Sequence, residues 1–377
     1  MQRSAGSSTA VRLEHSAVTC MLGLAVVCLP AAVVAQSPPP QSKIPFAPGV
    51  VLTYVMHNLD EPRDREFNSA IVSIKPDETE FAVDMQYPGP DGKPVYGVYH
   101  RHQSRRELLG SKTIDHGSTC HPSDTLDTRY RGSTLLMTSQ RVLRQLKTGE
   151  PVDVHSYYTT GCSQGTLISG MIQRVETAPV PISILLNGER LDLSTIHARG
   201  QFSSFDFGQL DVDYWFLDDE QMPWLIRVEG TQEKKSYMQQ LGRVVAPDRE
   251  SEARMAAALS KTGACHAPVY GIYFEFASAD LKPASAPALQ QIAAVMRQHP
   301  DWTLTIEGHT DSIGGASSNL ELSNRRAAAV KGALTTRYGV VATRLATQGY
   351  GLSRPLAPNK SMEGRAQNRR VELSRRC

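Results

Sequence analysis

The sequence predicts an α+β protein: a mainly antiparallel β region at residues 49–245, followed by a smaller region in the order β-α-β-α-β. In the first region apolar and polar residues alternate along short segments such as Val51–Val55 and Asp211–Phe216, which is typical of strands with one buried face. Beyond residue 265, apolar residues recur at helical spacing between short apolar runs, which indicates helices alternating with strands. The 377 residues suffice for two domains.

Residues 1–35 are predicted to be a signal peptide. Arg3 and Arg12 precede an apolar stretch that ends in Val33-Val34-Ala35, a small-residue cleavage pattern. Two alternatives remain open. The stretch could stay as a membrane anchor, because roughly 18 apolar residues can span a bilayer. It could also be a lipoprotein signal that uses Cys20 or Cys28, although the residues before each cysteine match a lipobox poorly.

Residues 36–48 are rich in Pro, Ser and Gln and are predicted to form an extended linker. In the β region that follows, Asn187-Gly188 lies between two alternating segments and predicts a hairpin over residues 182–193. A helix is expected around residues 135–146. A membrane-spanning β-barrel is the alternative for this region, but short strands, charges on both faces and only 7% aromatic residues favour a soluble sheet or half-barrel.

Residues 246–264 are predicted to be a helical connector, since residues 253–259 are rich in Ala, Met and Leu. The C-terminal region follows at residues 265–377. Pro287 suits the first turn of a helix and Pro300 suits its end. We expect strands at residues 269–276, 302–306, 345–350 and 370–373, and helices at residues 285–298 and 319–338.

Four cysteines lie beyond the predicted signal peptide: Cys120, Cys162, Cys265 and Cys377. An even number in an exported protein favours disulfides over free thiols, and three pairings are possible. We favour Cys120–Cys162 and Cys265–Cys377, because each bond then stays inside one predicted domain. The spacing offers no close cysteine pair for a metal. A thiol or metal site formed by Cys120 with its neighbours His116 and His121 is the alternative to a polar loop.

The C-terminal region carries three polar segments. The first is Glu307-Gly308-His309-Thr310-Asp311, the second runs from Asn319 to Arg326-Ala327, and the third contains Gly364-Arg365 and Asn368-Arg369-Arg370-Val371-Glu372. Asp311 follows an apolar strand, and Arg326 lies fifteen residues later in a predicted helix. Two opposite charges across one cleft suit a zwitterionic ligand, because the guanidinium can bind a carboxylate and the carboxylate can accept from an ammonium.

Together these segments resemble the OmpA-like peptidoglycan-binding domain over residues 269–376. The resemblance implies a small OmpA-like β-α-β-α-β sandwich that binds the diaminopimelate of the peptidoglycan stem peptide. It implies that Asp311 and Arg326 hold the free end of that amino acid. It further implies ligand contacts from Thr310, Asn319, Ser323 and Arg365.

The resemblance also assigns structural roles. His309 is expected to lie behind the loop, and Arg369 and Arg370 are expected to pair with carboxylates along the sheet. The chain departs from the family pattern at Glu275, Ser318 and Leu352. Taken singly, Asp311 could be a turn residue and Arg326 a solvated helix charge. Arg325, which points elsewhere on the helix, is the natural control.

The predicted function is therefore non-enzymatic binding of peptidoglycan in the periplasm, at the outer membrane, with no cofactor and no metal. A net charge of +2 gives no support for nucleic-acid binding. The sequence contains neither His-Glu-x-x-His nor Gly-x-Ser-x-Gly. The alternatives are an outer-membrane β-barrel with a periplasmic anchor domain, and a cell-wall enzyme with a wall-targeting domain. The β region could bind an outer-membrane lipid or protein, or serve as a spacer.

Overall fold

The alternating segments of the first region form one large sheet. The computed structural model describes residues 44–58, 64–88, 94–116, 127–128, 132–158, 166–204, 208–232, 235–248, 250–261 and 265–376. The strands of this sheet are β1 (Val51–Asn58), β2 (Arg65–Ile74), β3 (Glu78–Pro88), β4 (Pro94–Ser104), β5 (Thr113–Asp115), β6 (Asp127–Thr128), β7 (Ser133–Leu135), β8 (Val152–Tyr158), β9 (Thr166–Arg174), β10 (Val180–Leu186), β11 (Glu189–Ser204), β12 (Gly208–Leu217), β13 (Leu225–Gln232) and β14 (Lys235–Val245).

The strand order is β6-β4-β3-β2-β1-β14-β13-β12-β11-β9-β8-β5-β7, and β10 pairs with both β11 and β14. The long strands pair antiparallel with their neighbours, as predicted. The Asn187-Gly188 hairpin between β10 and β11 is confirmed, since both residues have positive φ (48° and 86°) and Leu186 pairs with Glu189. Positive φ at both central residues is the geometry that this dipeptide favours.

One face of the sheet is apolar. Along β12 the buried residues alternate, with Leu210, Val212, Tyr214 and Phe216 all inside. Helix α1 (Arg105–Gly110) and helix α2 (Gln140–Thr148) lie between strands of this region. The predicted helix started too early: Leu135 ends strand β7, and the helix begins after Ser139, whose hydroxyl accepts a hydrogen bond from the Val142 amide.

The C-terminal region has a second, smaller sheet. Its elements are α3 (Ser251–Ser260), β15 (His266–Val269), α4 (Ala286–Gln298), β16 (Leu304–His309), α5 (Ala316–Tyr338), β17 (Leu345–Gly351), α6 (Met362–Asn368) and β18 (Val371–Ser374). The sheet order is β15-β18-β16-β17, with β16 and β17 parallel. Its apolar core includes Leu289 and Ile292 of α4, Ile306 of β16, and Val330 and Leu334 of α5.

Several expected boundaries in this region shift. The first strand ends at Val269 rather than Phe276, because Gly271 has a φ of 89° and turns the chain there. Helix α5 begins three residues earlier than expected, and the short helix α6 was not predicted. Helix α3 lies inside the predicted connector. The protein is thus mixed α/β, with a large N-terminal sheet and a smaller C-terminal domain.

Several predictions fall outside the described residues. These are the signal peptide, most of the linker, His121, Cys120, Cys162 and Cys377. Both disulfide pairings therefore stay predictions, although Cys265 itself is buried. Among the residues that the structure describes, no helix is long and apolar enough to cross a membrane.

Candidate functional site

Strand β16 and helix α5 place the two predicted ligand-binding charges. Asp311 lies two residues beyond the end of β16, and Arg326 lies in the third turn of α5. The two elements approach closely at Gly308. A Cβ on Gly308 would lie 3.0 Å from the carbonyl carbon of Ser323, and closer still to its carbonyl oxygen. The lack of a side chain on Gly308 therefore helps to set the positions of Asp311 and Arg326.

Asp311 and Arg326 line one cleft, together with Thr310 and Asn319. The cleft encloses about 570 Å³, including solvent at its mouth. Further lining comes from both regions of the chain, namely from Asp64, Glu66, Phe274, Glu275, Phe276, Ala277, Ile313, Leu322 and Arg369. Four of the six predicted ligand-binding residues are therefore brought together around one space.

Two contacts within the protein hold the Arg326 side chain in place. Its Nε donates a hydrogen bond to the Ser278 carbonyl at 2.9 Å. Its guanidinium carbon lies 4.8 Å from the centre of the Phe274 ring, a cation–π contact. Arg325, the control, is exposed and pairs with Glu321 on the same helix. The two neighbouring arginines thus differ in surroundings as the sequence predicted.

Asp311 is 8% exposed, and both of its carboxylate oxygens accept hydrogen bonds. Oδ1 accepts from the Ile313 amide at 3.0 Å, which is the turn role considered as its alternative. Oδ2 accepts from Nη1 of Arg369 at 2.6 Å. Since each carboxylate oxygen has two acceptor sites, Asp311 can still accept from a ligand ammonium.

Thr310 and Asn319 shape the loop beneath the cleft. The Thr310 hydroxyl donates to the Asp311 carbonyl at 3.0 Å. The Asn319 side chain donates from Nδ2 to the Ile313 carbonyl at 3.1 Å. Both residues are almost fully buried. The Asn319 bond ties the loop that contains Asp311 to the first turn of α5.

Ser323 and Arg365, the other two predicted ligand contacts, are not among the residues that line this cleft, so their contacts stay predictions. The Ser323 side chain is fully buried, because it faces the sheet at the close approach of α5, and it accepts a hydrogen bond from the Gly351 amide at 2.9 Å. Nε and Nη2 of Arg365 donate hydrogen bonds to Asp64 at 2.7 Å and 3.1 Å.

His309 lies inside the domain, as expected of a structural residue. It is 2% exposed, and its ring stacks on that of Tyr350 with centres 5.4 Å apart. Burial, helped by the positive charge of Arg370, lowers the pKa of His309 to about 4. Arg370 pairs with Glu372 along β18, which is the role predicted for it. His116, another residue singled out in the sequence, is also buried, and its Nε2 lies 3.1 Å from the Ser156 hydroxyl.

Arg369, Asp64 and Glu66 are among the lining residues that were not predicted from the sequence. Arg369 was assigned to the sheet, yet it lines the cleft and contacts Asp311. Asp64 and Glu66 come from the β region, and Glu66 accepts from Nε of Arg369 at 2.9 Å. Burial alone would raise the pKa of Glu66, but the charges of Arg369 and Arg243 lower it to about 2. No local pattern marks Asp64, because its partner Arg365 is 301 residues away along the chain.

The C-terminal domain has a known family. The model described as the OmpA family matches residues 273–369, and this segment is an OmpA-family domain. Among curated relatives, the probable lipoprotein YiaD of Escherichia coli is 46% identical over 103 residues, covering 27% of this chain and 47% of that protein. The peptidoglycan-binding protein ArfA of Mycobacterium bovis is 42% identical over 95 residues, covering 25% of this chain and 29% of that protein.

A solved structure, the peptidoglycan-associated lipoprotein from Burkholderia pseudomallei, is 33% identical with a TM-score of 0.26 and covers 28% of this chain and 88% of that one. The match to YiaD and ArfA thus spans about half or less of the length of these relatives. The similarity lies in the C-terminal domain.

Proposed function

We propose that this protein binds peptidoglycan non-covalently through the cleft that Asp311 and Arg326 line. The ligand is the free end of diaminopimelate in the stem peptide. Its ammonium donates to Asp311, and its carboxylate accepts two parallel hydrogen bonds from Arg326. The observation that carries the proposal is that these opposite charges line one cleft and that protein contacts hold each of them in place.

The role is binding rather than catalysis, and it needs no cofactor. Relatives named as a lipoprotein and as a peptidoglycan-binding protein support a location in the cell envelope, in the periplasm beside the wall. There the domain tethers the β region to the wall. Each contact with one stem is weak, but a wall offers many stems, so several copies held together gain avidity.

The test is co-sedimentation of the mature chain with purified sacculi that contain diaminopimelate. Asp311→Asn and Arg326→Gln should each remove most of the bound fraction, since each leaves one ligand charge without a partner. Arg325→Gln, a neighbouring arginine outside the cleft, should bind like the parent protein. Normal sedimentation of both cleft variants would overturn the proposal.

A further inference from the structure

The β region supplies two carboxylates to the cleft, although the family match covers only the C-terminal domain. Asp64 immediately precedes β2, and its side chain is fully buried. Glu66 is the second residue of β2, and its side chain is 22% exposed. Both line the cleft that contains Asp311 and Arg326. The β region therefore forms one wall of this site.

These carboxylates bind Arg365 of α6 and Arg369, the residue that follows α6. Asp64 accepts two hydrogen bonds from Arg365, at 2.7 Å and 3.1 Å. Glu66 accepts from Nε and Nη2 of Arg369, whose Nη1 lies 2.6 Å from Asp311. Arg369 thus bridges Asp311 to the β region.

The position of the β region at the cleft does not depend on Asp64 and Glu66 alone. Lys282 of the C-terminal domain is 5% exposed and donates from Nζ to Asp84 of β3 at 2.9 Å. The guanidinium carbon of Arg243 lies 5.3 Å from the centre of the Tyr273 ring. Neutral, isosteric substitutions at residues 64 and 66 should therefore leave the two regions packed together.

The two carboxylates of the β region set the excess of negative over positive side chains in the cleft. Four carboxylates line the cleft, and two guanidiniums, those of Arg326 and Arg369, accompany them. Without the two carboxylates of the β region, the guanidiniums would match the remaining carboxylates in number. Arg369 would then lose Glu66 as a partner. The guanidinium of Arg369, no longer neutralised, would compete more strongly with a ligand ammonium for Asp311.

We infer that Asp64 and Glu66 are specificity-determining residues of the cleft, which they bias toward a ligand end that carries an ammonium group. The inference rests on the proposed function, since it concerns the same cleft and the same ligand. Glu66 acts by neutralising Arg369, and Asp64 by neutralising Arg365. The β region is then part of the binding site as well as the region that the C-terminal domain tethers to the wall.

The test uses the full chain and two soluble ligands that compete with sacculi: meso-diaminopimelate, and pimelate, which has the same two carboxylates and lacks both ammoniums. Glu66→Gln should weaken competition by diaminopimelate relative to pimelate about tenfold, because the bound ends of the two ligands differ by one unit charge, taken as about 10 Å away at an effective dielectric constant of about 20. Competition by pimelate should stay equal or strengthen. Asp64→Asn should change the ratio in the same direction.

Glu80→Gln is the matched control, because Glu80 is also a hydrogen-bonded carboxylate of the β region, bonded to His100, and it is not among the residues that line the cleft. It should behave like the parent protein. Equal weakening of both ligands by Glu66→Gln would indicate a merely structural role and overturn the inference, as would no change at all.

If the parent protein binds sacculi and the variants keep its ligand ratio, only this inference fails. If the parent protein does not bind sacculi, the proposed function fails with it.

Discussion

Gly308→Ala tests how the fold positions the cleft. The added Cβ would meet the Ser323 backbone, with the carbonyl carbon at 3.0 Å and the carbonyl oxygen nearer. Neither neighbour is a flexible side chain, so β16 and α5 must separate by about 1 Å. Gly349 on the adjacent strand makes a similar approach, 2.5 Å from the Asn324 amide nitrogen for a Cβ placed there. Overpacking of this kind costs about 1–3 kcal/mol or more.

We therefore expect Gly308→Ala to lower the free energy of unfolding by about 3 kcal/mol in urea denaturation. Binding to sacculi should weaken as well, because Asp311 follows β16 whereas Arg326 lies on α5. Gly332→Ala is the matched control on the same helix, since no atom beyond its chain neighbours and the nearby backbone of that helix lies within 4 Å of its added Cβ. It should raise stability by about 0.5–1 kcal/mol. A Gly308→Ala variant as stable as the parent protein would refute the close-packing argument.

Three further predictions concern buried charges. Lys282→Met removes the positively charged partner of buried Asp84 and should destabilise the protein by about 3 kcal/mol in thermal unfolding; an unchanged midpoint would contradict this. The pKa of Glu66 is lowered from 4.5 to about 2. Its ionised form therefore contributes about 3 kcal/mol to the free energy of unfolding above pH 4.5, and this contribution disappears as the pH falls toward 2. Urea unfolding at pH 5 and pH 3 should show a smaller loss of stability on acidification in Glu66→Gln than in the parent protein. Burial lowers the pKa of His116 from 6.5 to about 4, so stability should fall as the pH drops below 6.5, and His116→Gln should flatten that slope.

Local patterns predicted much of the fold. The alternation that defines β12, the Asn187-Gly188 hairpin and the apolar spacing of α4 each depend on a few neighbouring residues, and the structure confirms them. The predicted bounds of the first strand of the C-terminal sheet were wrong. The apolar residues after Val269 resemble a continuing strand, although Gly271 turns the chain there. Apolar content alone does not reveal where a strand bends.

The candidate site was likewise predicted only in part from the sequence. The resemblance to the OmpA-like domain implied that Asp311 and Arg326 would face the same ligand, and both residues line one cleft. The burial of Ser323 was missed, because the sequence does not show which face of α5 meets Gly308. Glu66 was missed for another reason: its partner Arg369 is 303 residues away along the chain. Contacts between distant regions leave no periodic signal.

Comparing two kinds of wall is the most direct test of the central claim, that the cleft clamps both charges of diaminopimelate. Co-sedimentation should be measured with sacculi whose stems carry diaminopimelate and with sacculi whose stems carry lysine, which keeps the ammonium and lacks the carboxylate. We expect binding to the first wall, little binding to the second, and loss of this difference in Arg326→Gln. Equal binding of the parent protein to both walls would contradict it.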